Sequence, residues 1–351
     1  MKTPVVVLGA SGYVGGELLR LLAGHPGFEI AAAVSASQAD RPIGDNFPHL
    51  AGAFGKTAFV DAGEWRDRLA GAKRWALVSA APHGSSAASI TEAMAAATTP
   101  GEEVLVVDTS ADFRYADPRE YAEVYGHPHP APSLSGLFVS AVPEHWKEAA
   151  PRLVAHPGCF TTAALLAIVP LLARGVAHPS FAITAITGST GSGRAPSEKT
   201  HHPARRSNVA AYQPLRHRHA PEMRGLAFAA TGVLPEIEFV PISGPHARGI
   251  YLSLHGRLGA SRGASEIASQ MTDFYGDSPF VSVGVEPPAL TDVVGTNRAR
   301  LGVAVSGDAL SVTVAIDNLV KGAAGGALQW LNRMGGFDES AGLTTPGLGW
   351  F

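Results

Sequence analysis

Val5-Val-Val-Leu8, Gly9-Ala-Ser-Gly12-Tyr-Val-Gly15-Gly16, Glu17-Leu-Leu-Arg-Leu-Leu-Ala23 reads as strand, glycine turn and helix. A short fully apolar run fits a strand buried on both faces, and the leucines that follow recur at helical spacing. Glycines between them let the backbone approach a pyrophosphate closely and let the helix pack on the strand. The helix N-terminus adds unpaired N–H groups and a favourable dipole for the phosphates. A glycine triplet alone also fits a plain structural turn, so the flanks carry the reading. Gly9, Ser11, Gly12, Tyr13 and Val14 are the candidate dinucleotide contacts.

The next strand, Glu29-Ile-Ala-Ala-Ala-Val34, ends in Ser35-Ala-Ser37, where an NAD site usually places an acid on the ribose 2′-hydroxyl. Small hydroxyls at Ser35 and Ser37, with Arg41 beyond, suit a 2′-phosphate better, so the expected cofactor is NADP. Two more strands follow: Trp75 to Ser79, leading into Ala81-Pro-His-Gly84, and Val104 to Asp108, leading into Thr109-Ser-Ala-Asp-Phe-Arg114. Helical stretches lie between them, including Ala87 to Ala97. Strand alternating with helix implies an α/β fold with a Rossmann-type doubly wound parallel sheet, whose ligands gather at the strand carboxyl ends. Arg114 is either a solvated charge or a rigid bidentate clamp for phosphate.

A chain of 351 residues with 46% hydrophobic content exceeds the size of most single cores, so two domains are expected. Residues 1–157 and 318–351 are assigned to the nucleotide domain and 158–317 to a catalytic domain. The single cysteine excludes an internal disulfide and fits a reducing cytosol. Met1-Lys-Thr-Pro runs straight into the first strand without a secretory leader, which gives the expectation of a cytoplasmic protein. The longest apolar stretch, Phe160 to Ala173, is too short for a bilayer and contains Pro170, so no membrane role is expected. The formal net charge of −3 and dispersed basic residues argue against a general nucleic-acid surface.

The lone cysteine stands in Leu153-Val-Ala-His156-Pro157-Gly158-Cys159-Phe160-Thr161-Thr162, at the junction of an apolar strand and an apolar helix. A thiol in the first turn of a helix is favoured as thiolate by the helix dipole. Pro157 and Gly158 impose the sharp bend on which a nucleophile is exposed. The plainer reading is a small buried hydrophobe. His156 is either a partner of the thiol or a shaper of the turn.

Beyond the cysteine, Ser180 to Thr187 reads as a strand and Gly188-Ser-Thr-Gly-Ser-Gly-Arg194 as a glycine-rich loop. Glu236 to Pro241, Gly249 to Leu258 and Leu310 to Ile316 alternate or run β-branched, so this domain is strand-rich. Histidines near residues 201–219 lack cysteine or carboxylate partners at ligand spacing, and adjacent arginines would repel a cation, so no metal is expected. An imidazole beside a thiol is better used to hold the thiolate and move a proton. On an extended segment His217 and His219 point the same way with Arg218 opposite; surface histidines are the competing reading. Asp317-Asn318 starts a capped C-terminal helix with a Gly/Ala face, expected to return to the first domain.

Gly9–Gly15, Asp108–Arg114, Ala141-Val-Pro-Glu144, His156–Thr162, Gly188–Arg194, His217-Arg-His-Ala-Pro-Glu222 and Asp317-Asn-Leu-Val-Lys-Gly-Ala-Ala-Gly325 together resemble the N-acetyl-γ-glutamyl-phosphate reductases across essentially the whole chain. The resemblance implies an NADP-binding Rossmann domain and a mixed α/β catalytic domain of the glyceraldehyde-phosphate dehydrogenase type, assembled as a homodimer or homotetramer. It also implies a reaction of arginine biosynthesis. Cys159 would attack the acyl phosphate, phosphate would leave, and the thioester would take hydride from NADPH and collapse to the semialdehyde. A histidine of the His-Arg-His element would be the acid/base, His219 first and His217 second. Arg114, Glu222 and Arg194 would contact substrate, with Glu222 orienting either the substrate or a histidine. Gly188, Ser189, Gly191, Asn318 and Lys321 would contact the cofactor, the last two beside the nicotinamide.

Thr161 departs from the family, many members of which carry proline there, which bears on helix entry. His201-His202-Pro203, Arg205, Arg206 and the Thr345-Pro-Gly-Leu-Gly tail resemble the sister reductases of carrier-linked 2-aminoadipyl or glutamyl phosphates in lysine biosynthesis. Basic residues beside the site would suit an acidic amino-group carrier protein as well as a free anionic substrate. A thiol redox sensor that binds NADP is the alternative of another class; it would need a resolving cysteine from outside the chain.

Overall fold

The computed structural model describes residues 2–69, 71–96 and 101–349. Met1, Trp350 and Phe351 of the expected domain bounds lie outside the described residues, as does Ala97 of the expected helix. The chain divides into two compact units: Met1–Ala141 with Glu148–His156 and Ala323–Thr344, and Val142–Lys147 with Pro157–Gly322 and Thr345–Phe351.

In the first unit β1 (Thr3–Leu8), β2 (Phe28–Val34), β3 (Arg74–Ser79), β4 (Glu103–Asp108), β5 (Val139–Ser140) and β6 (Leu153–Ala155) form one sheet in the order β2-β1-β3-β4-β6-β5. Every pairing in it is parallel. Val6, Leu77, Val106 and Ala155 place successive strands in one buried cluster with Trp75 and Phe113. The chain builds outward to β2, then crosses to the other side of β1 to lay down β3. That reversal makes the carboxyl ends of β1 and β3 the switch point where such sheets bind ligands. The helix Tyr13–Leu22 buries Leu18, Leu19 and Leu22, and Gly325–Gly335 packs into the same unit, with the Trp330 indole donating to the Ala141 carbonyl at 3.1 Å.

The second unit carries a mixed sheet of β7 (Ser180–Thr187), β8 (Ala210–Ala211), β9 (Glu236–Ser243), β10 (Ile250–Arg257), β11 (Val281–Gly284), β12 (Ala299–Ser306) and β13 (Ala309–Ile316), in the order β11-β12-β13-β10-β7-β9-β8. Strand β10 is antiparallel to β7 and β13, while β7 pairs with β9 in parallel. Alternate residues of β7, Phe181, Ile183 and Ala185, enter the core with Leu252, Leu254, Val312 and Val314. The helix Cys159–Ala173 is buried from Phe160 to Leu172, Pro170 included, which explains why it is apolar on every face. The last expected helix differs in its opening. A wide π turn over Val320–Ala324 precedes Gly325–Gly335, and Asp317 Oδ1 accepts from the N–H groups of Leu319 and Val320 at 2.8 and 2.9 Å.

Candidate active site

The first polar constellation lies at the carboxyl ends of β1 and β3. Gly9 has φ +66°, and a Cβ there would lie 2.6 Å from the Ala80 carbonyl oxygen; one on Gly15 would lie 2.5 Å from the Gly9 oxygen. Neither position admits a side chain, because strand end, helix and neighbouring loop meet there. Gly12 caps the helix Tyr13–Leu22 without a side-chain hydrogen bond, so the cap places no competing carboxylate at the helix dipole's positive end. Ser11 Oγ lies 2.7 Å from Ser35 Oγ, which is 3.4 Å from Ser37 Oγ. This hydroxyl chain joins the glycine turn to the end of β2 with no acid among its members. A dinucleotide pyrophosphate fits the cradle. Tyr13 is exposed and Val14 half-buried at the mouth of the turn.

The loops after β3 and β4 are tied together by carboxylates. Asp108 accepts from Ser110 Oγ, Ser86 Oγ and the Ser110 N–H at 2.7, 2.8 and 2.9 Å. Burial nevertheless pushes its carboxyl up to about 6, the serine bonds and the Asp112 charge acting after it. Asp112 accepts from the N–H groups of Gly84 and Ala87 at 2.8 and 2.9 Å and thereby fixes the start of the helix Ser86–Ala96. Arg114 is buried, donating from Nε to the His156 carbonyl at 3.1 Å and from Nη2 to the Thr109 carbonyl at 3.0 Å. It is therefore a held guanidinium, not a solvated one.

In the second unit Cys159 is the first residue of its helix and half-buried, with Gly158 as the cap. Glu222 Oε1 accepts from the Gly158 N–H at 2.8 Å, within a side chain only 2% exposed. A Cβ on Gly322 would lie 2.6 Å from the Cys159 Cβ. One carboxylate thus pins the turn, and one bare backbone position collars the sulfur-bearing carbon.

The histidine pair departs from the extended segment expected of it. Arg218 is helical and His219 opens the helix His219–Thr231. The rings still share a side, with centroids 4.7 Å apart, and both stand edge-on to Phe160. A tight helical entry brings them together where alternation along a strand was expected to do so. His217 Nδ1 accepts from the His219 N–H at 3.2 Å. Burial, then the Arg218 charge, pulls His217 down to about 4, so it is neutral near pH 7. Tyr212 packs against the His217 ring; burial, with the nearby Cys159, pushes its phenol well above its ordinary value, which keeps it a hydrogen-bond donor.

The remaining expected contacts range from buried to exposed. Asn318 Oδ1 accepts from the Gly249 N–H at 2.7 Å and its Nδ2 donates to Thr190 Oγ1 at 3.0 Å, anchoring the turn Ser189–Ser192. Gly188 has no room for a side chain, since a Cβ would lie 2.3 Å from the Ala247 oxygen. Ser189 is half-buried, while Gly191 and Arg194 are exposed. Lys321 is fully buried and ion-paired with Glu144.

Sequence reasoning gave Glu144, Asp112 and Gly322 no role. Glu144 and Lys321 stand 177 residues apart, so no local spacing connects them, and a buried lysine offers no periodic signal. Gly322 sits inside an apolar helical pattern, where glycine reads as packing.

Residues 4–151 match the model of the semialdehyde dehydrogenase NAD binding domain, and residues 159–318 that of the semialdehyde dehydrogenase dimerisation domain. The chain is 38% identical to an N-acetyl-gamma-glutamyl-phosphate reductase of Rubrobacter xylanophilus, covering 98% of this chain and 99% of the relative. It is 37% identical to a [LysW]-L-2-aminoadipate 6-phosphate reductase of Deinococcus radiodurans, covering 99% and 98%. Among solved structures, aspartate semialdehyde dehydrogenase II from Vibrio cholerae shares the fold at TM-score 0.69 and 16% identity, over 95% of this chain and 98% of that one.

Proposed function

The chain belongs to the semialdehyde dehydrogenase family of oxidoreductases, in the branch of the N-acetyl-γ-glutamyl-phosphate reductases and their carrier-linked counterparts, and on that premise we propose that it reduces N-acetyl-L-glutamyl 5-phosphate to the 5-semialdehyde. The observation that carries this reading is the seat of Cys159: first in its helix, on a turn held by Glu222, with the paired imidazoles sharing Phe160.

The Cys159 sulfur attacks the acyl carbon, and the carbon–oxygen bond to phosphate breaks. NADPH, when bound, supplies the hydride that reduces the resulting thioester. His219 gives a proton to the oxygen of the thiohemiacetal and takes it back as the carbon–sulfur bond breaks, releasing aldehyde and thiolate. His217 is the brace, because its Nδ1 is committed to the His219 N–H and its ring is neutral near pH 7. Positioned proton transfer of this kind is worth roughly 10²–10⁴-fold in rate. Arg114 holds the leaving phosphate and Glu222 fixes the turn beneath the sulfur; Arg194 stands at the exposed end of the glycine-rich loop.

Gly9, Gly12, Ser11, Ser35 and Ser37 hold the cofactor, and the hydroxyl chain favours NADP over NAD. Ser35→Asp should weaken NADP by about tenfold or more relative to NAD, and a wild type that binds NAD more tightly would overturn the preference. A homodimer or homotetramer in the cytosol is the proposed assembly, supported by the match to the dimerisation domain.

The second reading is the same chemistry on a carrier-linked acyl phosphate. The near-equal identity to both kinds of relative supports it, as do exposed His201, His202 and Arg206. Oxidation of free N-acetylglutamate semialdehyde with phosphate and NADP decides between them. Phosphate-dependent turnover is the expected result; turnover only of a carrier-linked semialdehyde would select the second reading.

A further inference from the structure

The unit that holds Cys159 contains another polar constellation, which the reaction as described leaves unused. Arg205 and His246 come from separate segments and converge at the carboxyl end of β7. Arg205 Nη2 donates to the Thr187 carbonyl at 3.1 Å, and the same oxygen accepts the Gly244 N–H at 2.9 Å. His246 packs beside Gly244, where a Cβ would lie 2.7 Å from the ring's Cε1, and its own carbonyl accepts from the Ser189 N–H at 3.0 Å. Both side chains therefore border the start of the glycine-rich loop.

Each presents a buried nitrogen that has no hydrogen-bond partner, Arg205 Nε and His246 Nε2. Buried polar atoms in folded proteins are overwhelmingly paired, with protein, water or ligand, so two neighbouring exceptions mark a place for a partner from outside the chain. The two nitrogens are covered while the residues that carry them are only half-buried, so a ligand reaches them once the exposed parts of the two side chains shift aside. The His246 ring hydrogen-bonds the Gly249 backbone, and burial outweighs that bond and lowers its pKa, the Arg205 charge acting in the same sense. A neutral ring that donates through its other nitrogen offers Nε2 as an acceptor. The pair is thus a cationic donor beside a neutral acceptor. A simple anion such as phosphate would meet a lone pair at His246, whereas a carboxylate flanked by an amide N–H would satisfy both atoms. The Arg205 charge also reaches Tyr212, which in turn lies within electrostatic reach of Cys159.

We infer that Arg205 Nε and His246 Nε2 anchor the far end of the substrate, the guanidinium binding the α-carboxylate and the imidazole accepting the adjacent amide N–H. This rests on the proposed substrate being an N-acylated amino acid activated at its side chain. That class carries an amide N–H and a carboxylate on one carbon, whether the acyl group is acetyl or a carrier.

The test is a calorimetric titration with N-acetyl-L-glutamate and with its α-carboxamide. The wild type should bind the carboxylate about tenfold or more tightly than the carboxamide. Arg205→Met should erase that preference, Arg205→Lys should restore part of it, and NADP affinity should not change in either variant. His246→Leu should weaken N-acetyl-L-glutamate but not glutarate, which keeps the two carboxylates and lacks the amide N–H. A wild type without the preference overturns the inference even if the variants fail to fold, and so does an Arg205→Met protein that keeps the preference in full. Because no turnover is required, an enzyme that shows the preference yet does not oxidise free semialdehyde keeps this inference and loses the proposed reaction. One that turns the semialdehyde over without the preference does the reverse.

Discussion

Two turns in this molecule bring a strand to the N-terminus of a helix, and they are built by opposite means. The turn after β1 is made by its own sequence: Gly9 takes φ +66° and Gly15 meets the Gly9 oxygen, all within a few residues. The turn before Cys159 is held from outside. Glu222, 64 residues away, binds the Gly158 N–H, and Gly322 closes on the cysteine from the other side. A turn that cradles a ligand needs only to be open, which local glycines provide. A turn that aims a reacting atom must be immobilised, and that takes partners from elsewhere in the fold.

The largest effect expected from breaking this distinction is in Glu222→Ala. It leaves a buried N–H without its acceptor, at a cost of about 1–3 kcal/mol in stability, and it frees the turn that carries Cys159. The ratio kcat/KM should fall roughly 10²-fold while NADP affinity, measured by fluorescence titration, stays within a factor of about two. Equal loss of both would mean that the two turns are not independent.

A matched pair of glycine substitutions sharpens the comparison. Gly9→Ala forces a Cβ to 2.6 Å from the Ala80 oxygen and should weaken NADP by about tenfold, leaving the alkylation rate of Cys159 by iodoacetamide unchanged. Gly322→Ala puts its Cβ 2.6 Å from that of Cys159 and should slow alkylation by about tenfold with NADP binding intact. A crossed result would contradict the division of labour.

The smallest expected effect concerns acid. His217 and His145 are each held near 4 by burial, and burial also lowers His25. Between the ordinary histidine value of 6.5 and about 4, the unfolded chain binds protons that the folded chain refuses. Stability present above pH 6.5 is therefore lost as the pH falls toward 4. For His217 the loss from pH 7 to pH 5 should be about 1 kcal/mol, after allowance for relaxation and solvent screening. His217→Asn should flatten the urea-unfolding difference between those two pH values by that amount, and an unchanged difference would remove His217 from the account.

The contrast between the turns also explains what could be read without a structure. The strand β1, the glycine turn and the helix after it were legible because hydrophobic period, glycine spacing and phosphate chemistry all act over about twenty residues. The bend that carries Cys159 was legible for the same reason, since Pro157 and Gly158 announce it locally. The hold on that bend was not. Glu222 was expected to orient substrate or a histidine, and the bond its Oε1 accepts from the distant Gly158 N–H had no local signal. His217 and His219 were expected on an extended segment, because the helix His219–Thr231 has Pro221 in its first turn and no apolar stripe to reveal it. Glu144 and Lys321 form a buried pair that no window of sequence contains. Residues whose task is set by the local chain show themselves early, and those that brace a distant atom appear only when the fold brings them together.

The central claim is that Cys159 carries the acyl group. Intact-protein and peptide mass spectrometry after rapid quenching with acid, on enzyme incubated with the acyl phosphate in the absence of NADPH, tests it most directly. The account predicts a mass increase equal to one acyl group, located on the peptide containing Cys159, removed by hydroxylamine and absent from Cys159→Ala. Turnover without any such adduct, or a Cys159→Ala protein that still reduces the acyl phosphate, would contradict it.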